Sequence, residues 1–178
     1  MARKSMEYVS RFPEVTQAWI GDRRVDEVEC IIGDFAGMSR GKAMPSATFN
    51  RTKHTYLPTS IFFQTISGDY VDMDIEGQWT ESDMVLTPDY STAVAVPWSD
   101  DLAVQVIHDV TDQDGNPNGL APRNVLKRVL GFYEAEGWNP VVAPEIEFYL
   151  TRPNLDPTQP IEPPIGRTGR QVVSRQAY

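Results

Sequence analysis

Apolar residues recur along this chain with two different periods, and the change from one to the other divides it. Over residues 25–35, VDEVECIIGDF, the residues Val28, Cys30 and Ile32 fall on one side of an extended chain and Glu27, Glu29 and Ile31 on the other, which predicts a strand. The following AGMSRGKAMP places Gly37 and Gly41 where a hairpin connection needs positive backbone dihedrals, then leads into a second extended stretch that Pro45 weakens. A β-hairpin is predicted. Residues 60–66 are apolar and aromatic, residues 68–82 are rich in Gly and Asp, and Met84, Val85 and Leu86 make a short buried run. Residues 93–98 and 103–110 are two further strand candidates, the second with Val104 and Val106 on one face and Ala103, Gln105 and Ile107 on the other. Ahead of all these, Met6, Val9, Phe12, Val15 and Trp19 recur every three to four residues, which predicts short helical pieces broken at Pro13. Four or five short strands thus fill the first 110 residues.

The period changes after DQDGNPNG, residues 112–119, whose Asp, Gly, Asn and Pro mark a surface connection and a domain boundary between 1–111 and 112–178. Pro122 at the opening, one stripe of Val125, Leu126, Val129, Leu130 and Tyr133, and Gly137 as the stop signal predict a helix. Gly131 inside it costs about 1 kcal/mol relative to alanine. NPVVAPEIEFYL then reads as an extended apolar run, placed near a sheet edge or bend because Pro144 interrupts it. Residues 151–178 hold Pro153, Pro157, Pro160, Pro163 and Pro164 with no periodicity that buries a face, so they read as a loop.

Composition narrows the class. With 178 residues, 40% hydrophobic and 23% charged, the chain is long enough for a buried core and too long to depend on disulfides. No apolar run approaches the ~18 to 20 residues that span a bilayer, so no membrane partner is expected. Sixteen basic against 25 acidic residues leave a formal charge of -9, a field that repels phosphate backbones, so no nucleic-acid partner is expected either. Cys30 is the single cysteine, and the charged start MARKSMEYVSRF lacks the apolar core of a signal peptide, which makes the cytoplasm the expected compartment.

The sharpest chemistry is Glu145 and Glu147 in APEIEFYL. On a strand, residues two apart point the same way, so both carboxylates leave one face and Ile146 and Phe148 the other. At ~6 Å and an effective dielectric near ~20, two ionised carboxylates repel by roughly 2 to 3 kcal/mol, which one proton or a divalent cation relieves. Oxygen-only ligands favour a hard ion such as magnesium or manganese over zinc. The spacing alone favours the blander alternative, a solvent-facing polar edge of a half-buried strand.

Two segments in this order, ESDMVLTPDYSTAV at residues 81–94 and APEIEFYL at 143–150, resemble the glutamine synthetase family. The RGKAMP turn and the SRQAY ending look like its γ-glutamylpolyamine synthetase-like branch, which couples glutamate to amines. The resemblance runs from about Trp19 onward and covers only the amino-terminal part of a family member. It implies an α+β fold, a β-grasp-like domain at 1–111 followed by the first helix and strand of a catalytic domain. It also implies that Glu145 and Glu147 are metal ligands, one for the ion near glutamate and one for the ion near the nucleotide phosphates. Family chemistry implies ATP as co-substrate, Mg2+ or Mn2+, a γ-glutamyl phosphate attacked by ammonia or an amine, and a ring-like homo-oligomer. An acidic loop reaches the neighbouring subunit's active site to bind the ammonium or amine. Here that loop is GDYVDMDIEGQWTESD, in which Asp74, with Asp72 second, matches the loop aspartate. The serines of the glutamine-forming DGSS motif are absent, which points to an amine larger than ammonia.

Other residues read as structural. Arg40 and Lys42 furnish a hairpin tip or, with Gly41, an anion nest; His54 and His108 lack metal-ligand spacing; Cys30 is an inert core thiol; GRTGRQ lacks the strand and helix of a phosphate loop. The family's remaining metal, nucleotide and glutamate ligands have no counterpart in these residues, so the chain is expected to be inactive alone. The competing reading is a non-catalytic module that docks on ring-forming relatives, and an exposed apolar face on the helix suits both.

Overall fold

The computed structural model describes residues 7–52, 54–71 and 82–170. The chain forms two compact units, Met1–Asn139 and Pro140–Tyr178.

The first unit is a mixed sheet with few helices. Its strands are β1 (Glu27–Gly33), β2 (Ser39–Pro45), β3 (Thr55–Pro58), β4 (Asp83–Pro88), β5 (Val94–Ala95) and β6 (Ala103–Thr111), in the order β2-β1-β6-β4-β3 with β5 also on β6. β1 and β6 run parallel, with Val28 beside Val104 and Cys30 beside Val106, and the remaining pairs are antiparallel. The alternation in β1 works as the sequence predicts: Val28, Cys30 and Ile32 are buried, and Glu27, Glu29 and Ile31 are half-buried. On the half-buried face Gln105 Nε2 donates to Glu29 Oε2 at 2.8 Å, a cross-strand pair in register. β6 repeats the pattern with Val104, Val106, His108 and Val110 buried, and Ala103 is buried as well.

Short helices cover the buried face. A 3-10 turn, Glu7–Arg11, and helix α1 (Glu14–Ile20) meet at Pro13, which the first helix cannot absorb and the second uses as its N-cap. With α2 (Ser46–Arg51) they bring Tyr8, Phe12, Ile20 and Phe49 onto Val28, Cys30, Val104 and Val106. A second cluster joins Ile32, Leu57, Phe62, Met84, Leu86, Val110 and Ala121. Burial pushes the Cys30 thiol up to about 12, so it stays protonated as a small apolar filler.

Two local expectations are corrected, and one strand is added. Gly37 has φ +75° in the hairpin turn, but Gly41 lies within β2 opposite Ile31 and has no positive φ. Gly41 is required for closeness: a Cβ there would sit 1.9 Å from the Cys30 carbonyl oxygen. Residues 93–98 yield only the two-residue β5, because Ala93 closes a 3-10 turn at Tyr90–Thr92 and Pro97 has no N–H for a ladder. Within that turn Thr92 Oγ1 accepts from Ile107 N at 2.9 Å, so a side chain replaces the missing strand bond. β3 was not legible, being four residues with one proline.

The helix α3 (Pro122–Ala135) starts at its proline, and Gly137 beyond it adopts φ +73°. The expected strand after it does not form. Residues 139–150 have no regular structure, since Pro140 and Pro144 remove donors and no described strand pairs with them. In the second unit Arg152 and Glu162 close a loop by a backbone bond of 3.0 Å and a side-chain pair of 2.8 Å, and residues 166–170 make a turn with φ +75° at Gly169.

Gly41→Ala should destabilise the chain by about 1 to 3 kcal/mol, read as a lower urea midpoint, because a backbone oxygen rather than a flexible side chain must yield. A second expectation concerns acid. Burial lowers the pKa of His108 below 6.5 despite the opposing hydrogen bond to Val106 O and the nearby Asp109 charge. The unfolded chain therefore takes up a proton that the folded one refuses, so stability falls as pH drops through and below 6.5. Urea titrations of the native chain and of His108→Gln should differ in that window, whereas loss of the depressed carboxylates Asp34 and Asp109 belongs to pH below 3.8.

Candidate functional site

Where α3 meets the sheet, charge does the holding. Asp89 follows β4 and caps the 3-10 turn, its Oδ1 accepting from Ser91 N at 3.1 Å and Ser91 Oγ at 2.6 Å. Its other oxygen pairs with Arg123 Nη2, while Arg123 Nε donates to Asp109 Oδ1 at 2.9 Å. Lys127 Nζ reaches both oxygens of Asp109, at 2.6 and 2.7 Å. Asn124 Nδ2 donates to Val110 O at 2.6 Å and Asn118 O at 3.0 Å. Burial alone would raise the Asp109 pKa, but hydrogen bonds from Lys127 and Arg123, reinforced by their charges, hold it below 3.8.

Because Arg123, Asn124 and Lys127 take the inner side of the helix, its apolar stripe is left outside. No residue of α3 is buried; Leu126 is 57% and Phe132 63% exposed, and Val129, Leu130 and Tyr133 are exposed too. The sequence carried a signal for this arrangement in the four-residue spacing of Arg123 and Lys127 across from the stripe. Their partners Asp89 and Asp109 lie 34 and 14 residues from Arg123, too far for any local pattern to pair them.

The residues singled out from the sequence fall as follows. Glu145 and Glu147 are exposed on the unpaired stretch of the second unit, with Ile146 85% and Phe148 74% exposed. No ladder holds this stretch in the strand that the sequence predicts. Asp72 and Asp74 lie outside the described residues. Arg40 is committed to Asp34, Nε to Oδ2 at 2.6 Å, and so serves the hairpin rather than an anion. His108 is buried with Nδ1 2.9 Å from Val106 O and its ring edge-to-face with Phe49 at 6.4 Å, a core histidine. Residues 166–170 of the GRTGRQ run form a turn, and Gln171 and the residues after it lie outside the described residues.

Glu145 and Glu147 offer the right donor type for a hard cation. Their number is insufficient: among the described residues no group of three or more His, Cys, Asp or Glu is placed to hold a metal, and magnesium requires near-octahedral oxygen coordination.

Comparison with known proteins places this arrangement. Residues 119–178 match the family described as glutamine synthetase, catalytic domain. In fold, the chain superposes on a crystallised glutamine synthase homologue with TM-score 0.54 at 21% identity, covering 64% of this chain and 28% of that one. It superposes on the Plasmodium falciparum glutamine synthetase with TM-score 0.50 at 17% identity, covering 77% and 23%. In sequence and in fold the chain resembles the glutamine synthetases. It is 32% identical over 139 residues to gamma-glutamylputrescine synthetase of Escherichia coli (strain K12), 77% of this chain and 29% of that protein. It is also 29% identical over 143 residues to the glutamate–isopropylamine ligase of a Pseudomonas species and 29% over 133 residues to glutamine synthetase of Pyrococcus furiosus. The resemblance read from ESDMVLTPDYSTAV and APEIEFYL therefore holds, and it extends to the γ-glutamylpolyamine branch. The chain spans less than a third of the length of these relatives.

Arg123→Met should cost about 1 to 2 kcal/mol of stability and leave the sheet intact. Hydrogen exchange checks it: amides of α3 should lose protection while those of β1 and β6 keep theirs, and equal loss in both would contradict the anchoring role.

Proposed function

We propose that this chain is the amino-terminal portion of an ATP-dependent glutamate–amine ligase of the glutamine synthetase type, inactive by itself. The observation that carries the reading is the 32% identity over 139 residues to a γ-glutamylputrescine synthetase, joined to a catalytic-domain match that begins at residue 119. In this reading residues 1–111 are a β-grasp-like domain, supported by the β2-β1-β6-β4-β3 order with a parallel central pair, and residues 112–178 open the catalytic domain.

Glu145 and Glu147 act in the assembled enzyme as oxygen ligands, completed by ligands that the described residues do not supply. A Mg2+ or Mn2+ held there would supply positive charge to offset the negative charge spreading over a transferred phosphoryl group. The two glutamates neither donate nor accept protons in the reaction; they fix a charge. Asp74, with Asp72 as second choice, attracts the cationic amine to the neighbouring subunit in a ring-like homo-oligomer. The absence of the DGSS serines favours an amine larger than ammonia as the nucleophile.

The exposed stripe of α3 also favours a second reading, a non-catalytic module that docks on ring-forming relatives. Assays separate the two. In a polypeptide extended beyond residue 178, glutamate, ATP and magnesium should yield γ-glutamylputrescine in preference to glutamine. Glu147→Gln there should lower turnover by at least the about 10- to 100-fold that loss of an outer-shell partner costs a metal site. The 178-residue chain should release no phosphate from ATP. Indifference of the extended chain to both putrescine and ammonia would reject the ligase and leave the docking module.

A further inference from the structure

The acidic stretch between Val71 and Ser82 has both of its stems on one short element, the 3-10 turn Thr59–Phe63. On the incoming side Val71 N donates to Phe63 O at 2.8 Å. On the outgoing side Ser82 O accepts from Thr59 N at 3.2 Å and from Thr59 Oγ1 at 2.8 Å. Phe62, 4% exposed, roots the turn in the second apolar cluster, so the stems share one buried mount.

The incoming stem is itself tightly folded. Gln64 bridges Tyr70, Thr65 N donates to Asp69 O at 2.8 Å, and Gly68 N, at φ +90°, donates to Thr65 O at 3.0 Å. The β1–β2 hairpin braces it from the side. Asp34, whose side chain is 1% exposed, accepts from Met38 N at 2.8 Å and from Arg40 Nε at 2.6 Å, which fixes the guanidinium. Arg40 Nη2 then reaches Thr65 O at 3.5 Å, and the Phe35 ring lies 6.1 Å from that of Phe62. Arg40 thus has a partner on each side, whereas a lysine, a single point charge, serves one at a time.

We propose that Thr59 and Arg40 are positioning residues that set how tightly the acidic stretch captures a cationic amine. This rests on the ligase reading, in which Asp74, with Asp72 second, attracts that amine. Asp72 follows Val71 directly in the chain, so its placement is inherited from the stem. Attraction between carboxylate and ammonium depends on their separation, and loosening either stem weakens capture of the amine while the sites for ATP and glutamate are left alone.

The polypeptide extended beyond residue 178 carries the test, with putrescine as the probe. Thr59→Val keeps the shape and loses the hydroxyl. Arg40→Lys keeps a cation on buried Asp34, where Arg40→Gln would strand the carboxylate. Each should raise KM for putrescine by about 10-fold, leave KM for ATP and glutamate unchanged, and recover the native kcat at saturating putrescine. In the 178-residue chain Arg40→Lys should speed hydrogen exchange at Gly68 and Val71 while β1 and β6 keep their protection. An unchanged putrescine KM in either variant, an equal rise for all three substrates, or unchanged exchange at Gly68 and Val71 would overturn the proposal and leave the ligase standing. A native extended chain that acts on neither putrescine nor ammonia would reject the ligase reading and the positioning role with it.

Discussion

The first unit depends on β6 having neighbours on both edges. Its first five residues run parallel to β1, its last four pair with β4, and β5 closes the stretch between Val104 and Gln105. Among the described strands it alone pairs with both the β1–β2 hairpin and the β3–β4 pair. The strand meets this demand with β-branched residues that are buried on one face, so each of Val104, Val106 and Val110 serves one of the two apolar clusters. The same strand carries Asp109 on its half-buried face, and through Asp109 it holds the helix. One nine-residue segment thus organises the core and the attachment of α3.

The polar root of α3 explains an otherwise odd helix. An amphipathic helix ordinarily turns its apolar stripe toward the sheet it joins, and here donors from Arg123, Asn124 and Lys127 occupy that side instead. The helix is within the stretch that matches the glutamine synthetase catalytic domain. A stripe turned away from one layer is a stripe available to another, which agrees with relatives more than three times as long as the aligned region.

Much of the fold was legible from period alone, and the failures have physical reasons. β1, β6 and α3 are long enough for seven to fourteen residues to show their alternation or stripe. β3 and β5, at four and two residues, are too short to carry a pattern, and their existence is decided by the strands beside them. Gly41 looked like a turn glycine because sequence reports the residue and not which of its two uses is made, a free φ or a missing Cβ. In the candidate site, the types and spacing of Glu145 and Glu147 were legible, but the lack of a strand around them was not, since pairing is decided by a neighbouring strand. The Asp89–Arg123–Asp109 contacts were hidden for a different reason: they join residues from three separate elements.

The position of Cys30 has a practical consequence. It is the chain's single thiol, it is fully buried in the cluster that also holds Val106, with Met44 packed against that cluster, and its ionisation is driven to about 12. Alkylating reagents attack thiolates, so the folded protein is silent toward them at neutral pH. A cysteine placed on the outer stripe of α3 would then take a fluorophore or spin label at one address, with no need to remove the native sulfur first.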